Sequence, residues 1–210
     1  MLLSLMAANI QVIDSAHPQP HHIGRAVALL EAQGVIAYPT DTYYGIGCDI
    51  FSKKAIERVY RLKQRDRRKP LSFICADLAD ITQYAKVSNH AYRVLRRLTP
   101  GPFTFVLEAT RVVPEILATK QKQVAIRVPD CPIAQALVRG LGRPLLSTSA
   151  SNPDGEVLID PVDIKDHLGY GLDLIIDGGY QLNEPSTVLS LVDDEVSVLR
   201  EGKGDSTRAF

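Results

Sequence analysis

VIAYPTDTYYGIGCD, residues 35–49, is the stretch around which the rest of this chain is organised. Its first four residues are β-prone, and Pro39 and Gly45 then interrupt the apolar run. We predict a strand that empties into a polar, glycine-hinged loop. An amphipathic segment follows from Ser52, and then the cationic run KQRDRRKP, residues 63–70. A hydroxyl-rich loop and a cationic run separated by one helix can face the same cleft, which predicts a site for an anionic, hydrogen-bonding ligand.

Length and composition indicate one globular domain, which we place at residues 9–203. The 210 residues are 45% hydrophobic and 23% charged, with a mean hydropathy of −0.02, values that argue against a disordered or membrane protein. No apolar run reaches the roughly 18 residues that span a bilayer. The apolar start MLLSLMAANI has no basic segment and no cleavage site. We therefore expect a cytoplasmic protein.

Charge is balanced overall but unevenly distributed. The chain has 24 basic and 24 acidic residues. Residues 53–69 hold nine Lys or Arg against two acids, a net charge of +7, whereas residues 154–195 hold eleven acids against one lysine, a net charge of −10. A local cationic site can therefore attract phosphates despite the neutral total.

Helical and strand patterns alternate through the first two thirds of the chain, and the last third is rich in strands. This predicts an α/β fold with a twisted mixed sheet and flanking helices. Helices are predicted at 21–33, from Ser52, from Asp77, from Ser88, at 132–141 and at 161–168. Strands are predicted at 9–14, 35–38, 71–75, 103–107, 124–128, 145–146, 172–176, 187–192 and 196–199. The string STSASNPDG, residues 147–155, is predicted as a second hydroxyl-rich loop, and the tail, residues 201–210, as loosely held.

The motifs exclude several kinds of site. Neither a GxxxxGK[ST] loop nor GxGxxG is present, so a nucleotide would be held mainly by side chains. The candidates are Lys63, Arg65, Arg67, Arg68 and Lys69, for which a solvated helix face and loop is the alternative interpretation. We expect no metal site, because the five histidines form no HExxH and no spacing with the cysteines, and we expect those three cysteines to be buried thiols.

Two further features left alternatives open. Arg127 lies in the apolar strand sequence VAIRVP, where an unpaired cation is costly, so it should meet either an internal carboxylate or a ligand carboxylate. The serines and threonine of residues 147–151 could bind phosphate or could form a turn with side-chain caps. No GxSxG supports a hydrolytic nucleophile.

Taken together, eight stretches resemble the YrdC/YciO family, whose characterised members are L-threonylcarbamoyladenylate synthases, and the chain is most similar to the YciO branch. In chain order the stretches are YPTDTYYGIGCD, KQR followed by KPL, TPGPFTFVL, VAIRVP with PIAQAL, PLLSTSA, LIIDGG, PSTVLSL and VLREG. The resemblance implies a twisted α/β sheet around a large cationic cleft that is associated with ATP and with double-stranded RNA or tRNA. It also implies a nucleotidyltransferase reaction, in which L-threonine, bicarbonate and ATP, with Mg²⁺ carried by the nucleotide, give threonylcarbamoyl-AMP and pyrophosphate for tRNA modification.

The resemblance also implies the roles of eight residues. The residues that it assigns to ATP binding are Lys63, Arg65, Lys69, Ser149 and Arg200. Of these, Lys63, Arg65 and Ser149 are also assigned to catalysis. The residues that it assigns to threonine binding are Thr42, Arg127 and Ser186.

Three departures from the family pattern affect these assignments. The chain reads Ser149-Ala150-Ser151-Asn152 where the family reads S-A-N. Lys69 stands where many members have Asn or His, and Ile74 stands where synthases often carry a histidine near threonine. We therefore predict that the residues on the nucleotide side of the site match the family pattern better than those on the threonine side.

Two other functions remain open. A non-catalytic RNA-binding protein would show an RNA affinity that falls steeply with salt. A structural domain with an idle cleft would not bind ATP tightly.

Overall fold

The computed structural model describes residues 8–64, 71–117, 119–152, 154–181 and 184–210. Arg65 and Lys69 of the predicted site lie outside these ranges, as do Arg67 and Arg68.

Six α-helices and eleven strands lie within the described residues. The helices are α1 (Pro20–Glu31), α2 (Lys53–Leu62), α3 (Leu78–Tyr84), α4 (Asn89–Leu98), α5 (Pro132–Leu141) and α6 (Pro161–Leu168). The strands are β1 (Asn9–Val12), β2 (Ile36–Tyr38), β3 (Gly45–Gly47), β4 (Ser72–Ile74), β5 (Ala85–Lys86), β6 (Phe103–Ala109), β7 (Gln123–Arg127), β8 (Leu145–Ser149), β9 (Leu174–Asp177), β10 (Thr187–Ser190) and β11 (Ser197–Arg200).

These strands form one mixed sheet in the order β1-β9-β2-β3-β8-β4-β7-β6-β10-β11, with β5 paired to β6. The pairs β1/β9, β9/β2, β4/β7 and β6/β10 are parallel, and the others are antiparallel. The predicted α/β fold with a mixed, twisted sheet is therefore confirmed.

Helices cover the two faces of the sheet unequally. Buried residues of α2, α3, α4 and α6 share one core cluster, whereas those of α1 and α5 share a second. Successive strand residues alternate between the clusters: Phe73 belongs to the first and Ile74 to the second, as do Leu146 and Leu145. The second face thus carries only two of the described helices, so part of it is left for a site.

Sequence signals for the helix starts are confirmed. The side chains of Ser52, Asp77 and Ser88 each accept a hydrogen bond from the backbone N–H three residues later, which satisfies a donor that the helix leaves unpaired. Helices α5 and α6 have the predicted bounds and begin with Pro132 and Pro161. Proline is tolerated there because the first helical N–H has no partner within the helix.

Two segments that were predicted as loops are strands. Residues 45–47 form β3, which pairs with β2 and β8, and Ser147–Ser149 extend β8. Glycines weaken the sequence signal of a strand, but here they permit close packing. A Cβ placed on Gly47 would lie 2.3 Å from the carbonyl oxygen of Leu146 and 2.8 Å from the ring of Tyr38.

Gly47→Ala is accordingly expected to destabilise the protein by about 1–3 kcal/mol, the usual result of overpacking a core. The reason is that the nearest atom belongs to backbone inside the sheet and cannot rotate away. Urea denaturation measures the change. Gly24→Ala is the matched control, since no atom lies within 4 Å of the added Cβ at Gly24. Equal stability of the two variants would contradict the prediction.

The prediction of a loosely held tail was wrong. A short 3-10 helix, Ser206–Ala209, ends the described chain, and Ala209 is buried. Arg97 of α4 donates to the carbonyl oxygen of Ala209 at 2.9 Å. Small and polar residues gave no sign of this packing, because the tail is held chiefly by backbone groups.

The three cysteines are buried and unpaired, as predicted. In the part of the chain that the structure describes, no helix is both long and apolar enough to span a bilayer.

Candidate functional site

A cavity of about 240 Å³ opens on the sheet face that α1 and α5 leave partly uncovered. Along the strands, residues that line the cavity alternate with residues of the first core cluster on the other face of the sheet. Ser72 is followed by buried Phe73, Thr104 is flanked by Phe103 and Phe105, and Ser147 follows Leu146. The cavity is lined mainly by hydroxyl groups, with two arginines. The lining consists of Thr40, Thr42, Tyr43, Tyr44, Gly45, Ser72, Thr104, Ala125, Arg127, Ser147, Thr148, Ser149, Ser186, Val188 and Arg200.

Arg127 is the buried cation at the centre of this site. Its Nη2 pairs with Asp41 Oδ1 at 2.6 Å, and its Nη1 donates to Thr42 Oγ1 at 3.0 Å. The second carboxylate oxygen of Asp41 accepts the backbone N–H of Asp130 at 3.0 Å. Burial lowers the pKa of Arg127 from its ordinary value, and the charge of Asp41 opposes that shift. The partner of Arg127 is therefore an internal carboxylate. The Nε–H of Arg127 is buried and has no hydrogen-bond partner among the described groups.

The first loop is held in shape by its own threonines. Thr40 Oγ1 donates to the carbonyl oxygen of Tyr43 at 2.6 Å and accepts the backbone N–H of Thr42 at 3.1 Å. The Thr40 and Thr42 hydroxyl oxygens are also 3.1 Å apart. This local network presents Thr42 to both Arg127 and the cavity.

A second part of the cavity wall is built around Ser186. Its hydroxyl lies 2.7 Å from Thr104 Oγ1, and Arg200 Nη2 donates to its carbonyl oxygen at 2.8 Å and to its hydroxyl at 3.2 Å. Arg200 thus belongs to the cavity through β11, which pairs with β10. A serine hydroxyl beside a fixed guanidinium is suited to binding an oxyanion.

Hydroxyl and guanidinium groups supply the polar chemistry of the lining. Among the described lining residues there is no His, Cys, Asp, Glu or Lys. Burial raises the pKa of Tyr43 and of Tyr44, so neither phenol ionises near neutral pH. Tyr44 also donates to the carbonyl oxygen of Gly179 at 2.7 Å, which anchors the loop after β9. The arrangement can bind and orient anions, but no described lining group can serve as a general base near pH 7.

The segment after Ser149 is the place where the sequence departs from the S-A-N pattern of the family. Lys63, at the end of α2, donates to the carbonyl oxygen of Ser151 at 2.8 Å and also hydrogen-bonds its hydroxyl. Asn152 accepts the backbone N–H of Glu156 at 2.9 Å and donates to its carboxylate at 3.2 Å. Neither Lys63 nor Asn152 belongs to the cavity lining. The Asn152 side chain instead stabilises a turn by its hydrogen bonds to Glu156.

The structure brings five of the eight predicted site residues to one cavity: Thr42, Arg127, Ser149, Ser186 and Arg200. Lys63 lies at the Ser151 turn, and Arg65 and Lys69 fall outside the described residues. Their binding roles stay predictions.

Sequence reasoning missed Asp41, Thr40 and Thr104 as parts of the site. Asp41 had a usable signal, because a lone acid between two threonines is a natural partner for a buried arginine. Thr104 had none beyond its alternation with two phenylalanines.

Comparison with known proteins gives the family. The sequence model of the Sua5/yciO/yrdC family, described as "Telomere recombination", matches residues 28–202. The uncharacterised protein YciO of Escherichia coli is 44% identical over 195 residues, which are 92% of this chain and 95% of that protein. Threonylcarbamoyl-AMP synthase of Vibrio vulnificus is 34% identical over 161 residues, 75% of this chain and 86% of that protein.

Solved structures agree with this assignment. The crystal structure of E. coli YciO is similar with a TM-score of 0.92 and 42% identity, over 97% of this chain and all (100%) of that one. P. abyssi Sua5 complexed with L-threonine gives a TM-score of 0.86 at 28% identity, over 93% of this chain and 58% of that one. The model match covers well over half of the chain, and the identity to YciO extends over nearly its whole length. The chain therefore belongs to the Sua5/YciO/YrdC family.

Proposed function

We propose that this protein is a threonylcarbamoyl-AMP synthase-like enzyme. It would use L-threonine, bicarbonate and ATP, release pyrophosphate, and serve the threonylcarbamoyladenosine modification of tRNA. The observation that carries the proposal is the single hydroxyl-lined cavity that gathers Thr42, Arg127, Ser149, Ser186 and Arg200. Relatives support it, since the V. vulnificus protein is a threonylcarbamoyl-AMP synthase and P. abyssi Sua5 binds L-threonine.

The size of the cavity favours the smaller substrate. Pockets for drug-sized ligands occupy about 300–1,000 Å³, and this one measures about 240 Å³. An amino-acid carbamate fits that scale, whereas ATP would extend beyond the cavity. In the proposed step a carbamate oxygen forms a bond to the α-phosphorus of ATP, the bond from that phosphorus to the β-phosphate bridging oxygen breaks, and pyrophosphate leaves with the electron pair.

Catalysis would depend on position and charge. Two anions must be held together, and negative charge grows on the phosphoryl oxygens and on the leaving group. Arg200 and Arg127 are the lining cations, and Arg127 is held by Asp41 and Thr42. Fixed cations in a water-poor site stabilise such charge without reorganising.

A flat pH profile is expected for the chemical step. The described lining holds no His, Cys, Asp, Glu or Lys, so the rate at saturating substrates should change by less than roughly threefold between pH 6 and 8. Pyrophosphorolysis of threonylcarbamoyl-AMP is the suitable assay, because it avoids the pH-dependent formation of the carbamate. A bell-shaped profile with a tenfold change would reveal a general acid or base that the described lining lacks.

The activity itself is tested by incubating the protein with ATP, threonine and bicarbonate and measuring pyrophosphate and threonylcarbamoyl-AMP. Arg200→Met removes a lining cation, and Arg65→Ala removes the predicted nucleotide contact outside the described residues. Lys86→Met is the matched surface control, since Lys86 pairs with exposed Glu108. Product formation by the wild type and by Lys86→Met, with loss in the other two variants, supports the proposal. Absence of product from the wild type refutes synthase activity.

A further inference from the structure

The tail after β11 lies directly on the wall that carries Ser186. The backbone N–H of Lys203 donates to the carbonyl oxygen of Pro185 at 2.8 Å, and Thr187 Oγ1 donates to the carbonyl oxygen of Gly204 at 2.6 Å. A Cβ on Gly202 would lie 2.4 Å from the Pro185 carbonyl oxygen, so only glycine permits this approach. The backbone of residue 203 is thus fixed beside the cavity wall.

From this position the side chain of Lys203 reaches the first loop. Its Nζ donates to the carbonyl oxygen of Asp41 at 2.6 Å. The carboxylate of Asp41 is already bound by Arg127 Nη2 and by the N–H of Asp130. Asp41 is therefore held at its backbone by one cation and at its side chain by another.

This contact joins two walls that the sheet order keeps apart. The first loop follows β2, whereas Ser186 immediately precedes β10, and five strands lie between β2 and β10 in the sheet. Both segments nevertheless line one cavity, through Thr42 and Ser186. Lys203 closes the remaining gap with a single ammonium-to-carbonyl hydrogen bond.

We propose that Lys203 is a positioning residue for this site. It holds the Asp41 carbonyl, and so keeps the first loop where Thr42 hydrogen-bonds Arg127 and faces the cavity. A charged donor gives a stronger hydrogen bond than a neutral one, and the exposed ammonium contributes less to global stability than to the local shape of the loop. No residue role implied by the family resemblance includes Lys203. The ligand side of this proposal rests on the proposed function above.

The test compares Lys203→Met with Lys203→Arg and Arg97→Met. Arg97→Met removes the contact of the tail with α4 and leaves the Lys203 contact in place. The first readout is amide hydrogen exchange at Thr42 and Asp130, whose N–H groups are bonded within the loop network. Lys203→Met should accelerate both by about three- to tenfold, the effect of one lost hydrogen bond. Lys203→Arg should restore slow exchange.

The second readout is steady-state kinetics. We expect Lys203→Met to raise the KM for threonine by about three- to tenfold and to leave the KM for ATP within about twofold, because Thr42 lies on the amino-acid side. If the wild type forms no product, the proposed function fails, while the exchange data still decide the role of Lys203. Wild-type exchange in Lys203→Met, equal effects from Arg97→Met, or no recovery in Lys203→Arg would each overturn the role of Lys203.

Discussion

Asp41→Asn is expected to lower the free energy of unfolding by about 3–5 kcal/mol, the usual result of removing one partner of a buried ion pair. The side chains of Asp41 and Arg127 are only 8% and 9% exposed, and their charged atoms are 2.6 Å apart. Without the carboxylate charge, the Arg127 guanidinium would remain buried with only neutral acceptors beside it, the introduced amide oxygen and the Thr42 hydroxyl. Urea denaturation with an unchanged m-value would measure the loss.

A double-mutant cycle separates the ion pair from the rest of the loop. Arg127→Met with Asp41→Asn removes both charges, so the double variant should be more stable than Asp41→Asn alone or lose much less than the sum of the single losses. Lys86→Met, in the exposed pair with Glu108, should change stability by less than about 1 kcal/mol. A loss below about 1 kcal/mol in Asp41→Asn would mean that water or another group compensates Arg127.

ATP is expected to bind clearly and L-threonine about one to two orders of magnitude more weakly than it binds to a full synthase. Two polar contacts that the family resemblance implies are absent from the described residues. Ile74 is fully buried and is the cross-strand neighbour of Arg127, while Asn152 hydrogen-bonds Glu156 instead of lining the cavity. A missing hydrogen bond is worth roughly 0.5–1.5 kcal/mol, and more when a charge is involved, so two losses give that range.

Calorimetric titration of each ligand alone, and then of threonine with a non-hydrolysable ATP analogue present, tests this difference. P. abyssi Sua5, solved as a complex with L-threonine, is the matched positive control. Threonine affinity equal to that of the control would show that the missing contacts are replaced. Undetectable ATP binding would show instead that the nucleotide side has been lost.

Much of the candidate site could be predicted because its residues lie in short motifs with strong local meaning. Thr42 and Ser149 lie in the two hydroxyl-rich stretches that the sequence pattern indicated, whereas Ser186 was assigned through the family resemblance. Arg127 was identified as needing a partner because a cation inside an apolar strand is costly. That argument named two kinds of partner but could not choose between them. The choice depends on whether the loop after β2 reaches β7, which is a contact across 86 residues of sequence.

Local sequence determined the elements whose signals are local. Serine and aspartate caps start α2, α3 and α4, and prolines start α5 and α6, because these residues satisfy or tolerate unpaired helix groups within a few positions of themselves. The short runs of β-prone residues at 35–38 and 103–107 likewise indicated β2 and β6. Only the tertiary structure decided that residues 45–47 form a strand, that Asp41 pairs with Arg127, and that the tail places Lys203 on the first loop. The last two contacts join segments that are 86 and 162 residues apart in the sequence. No local periodicity specifies which distant segments meet.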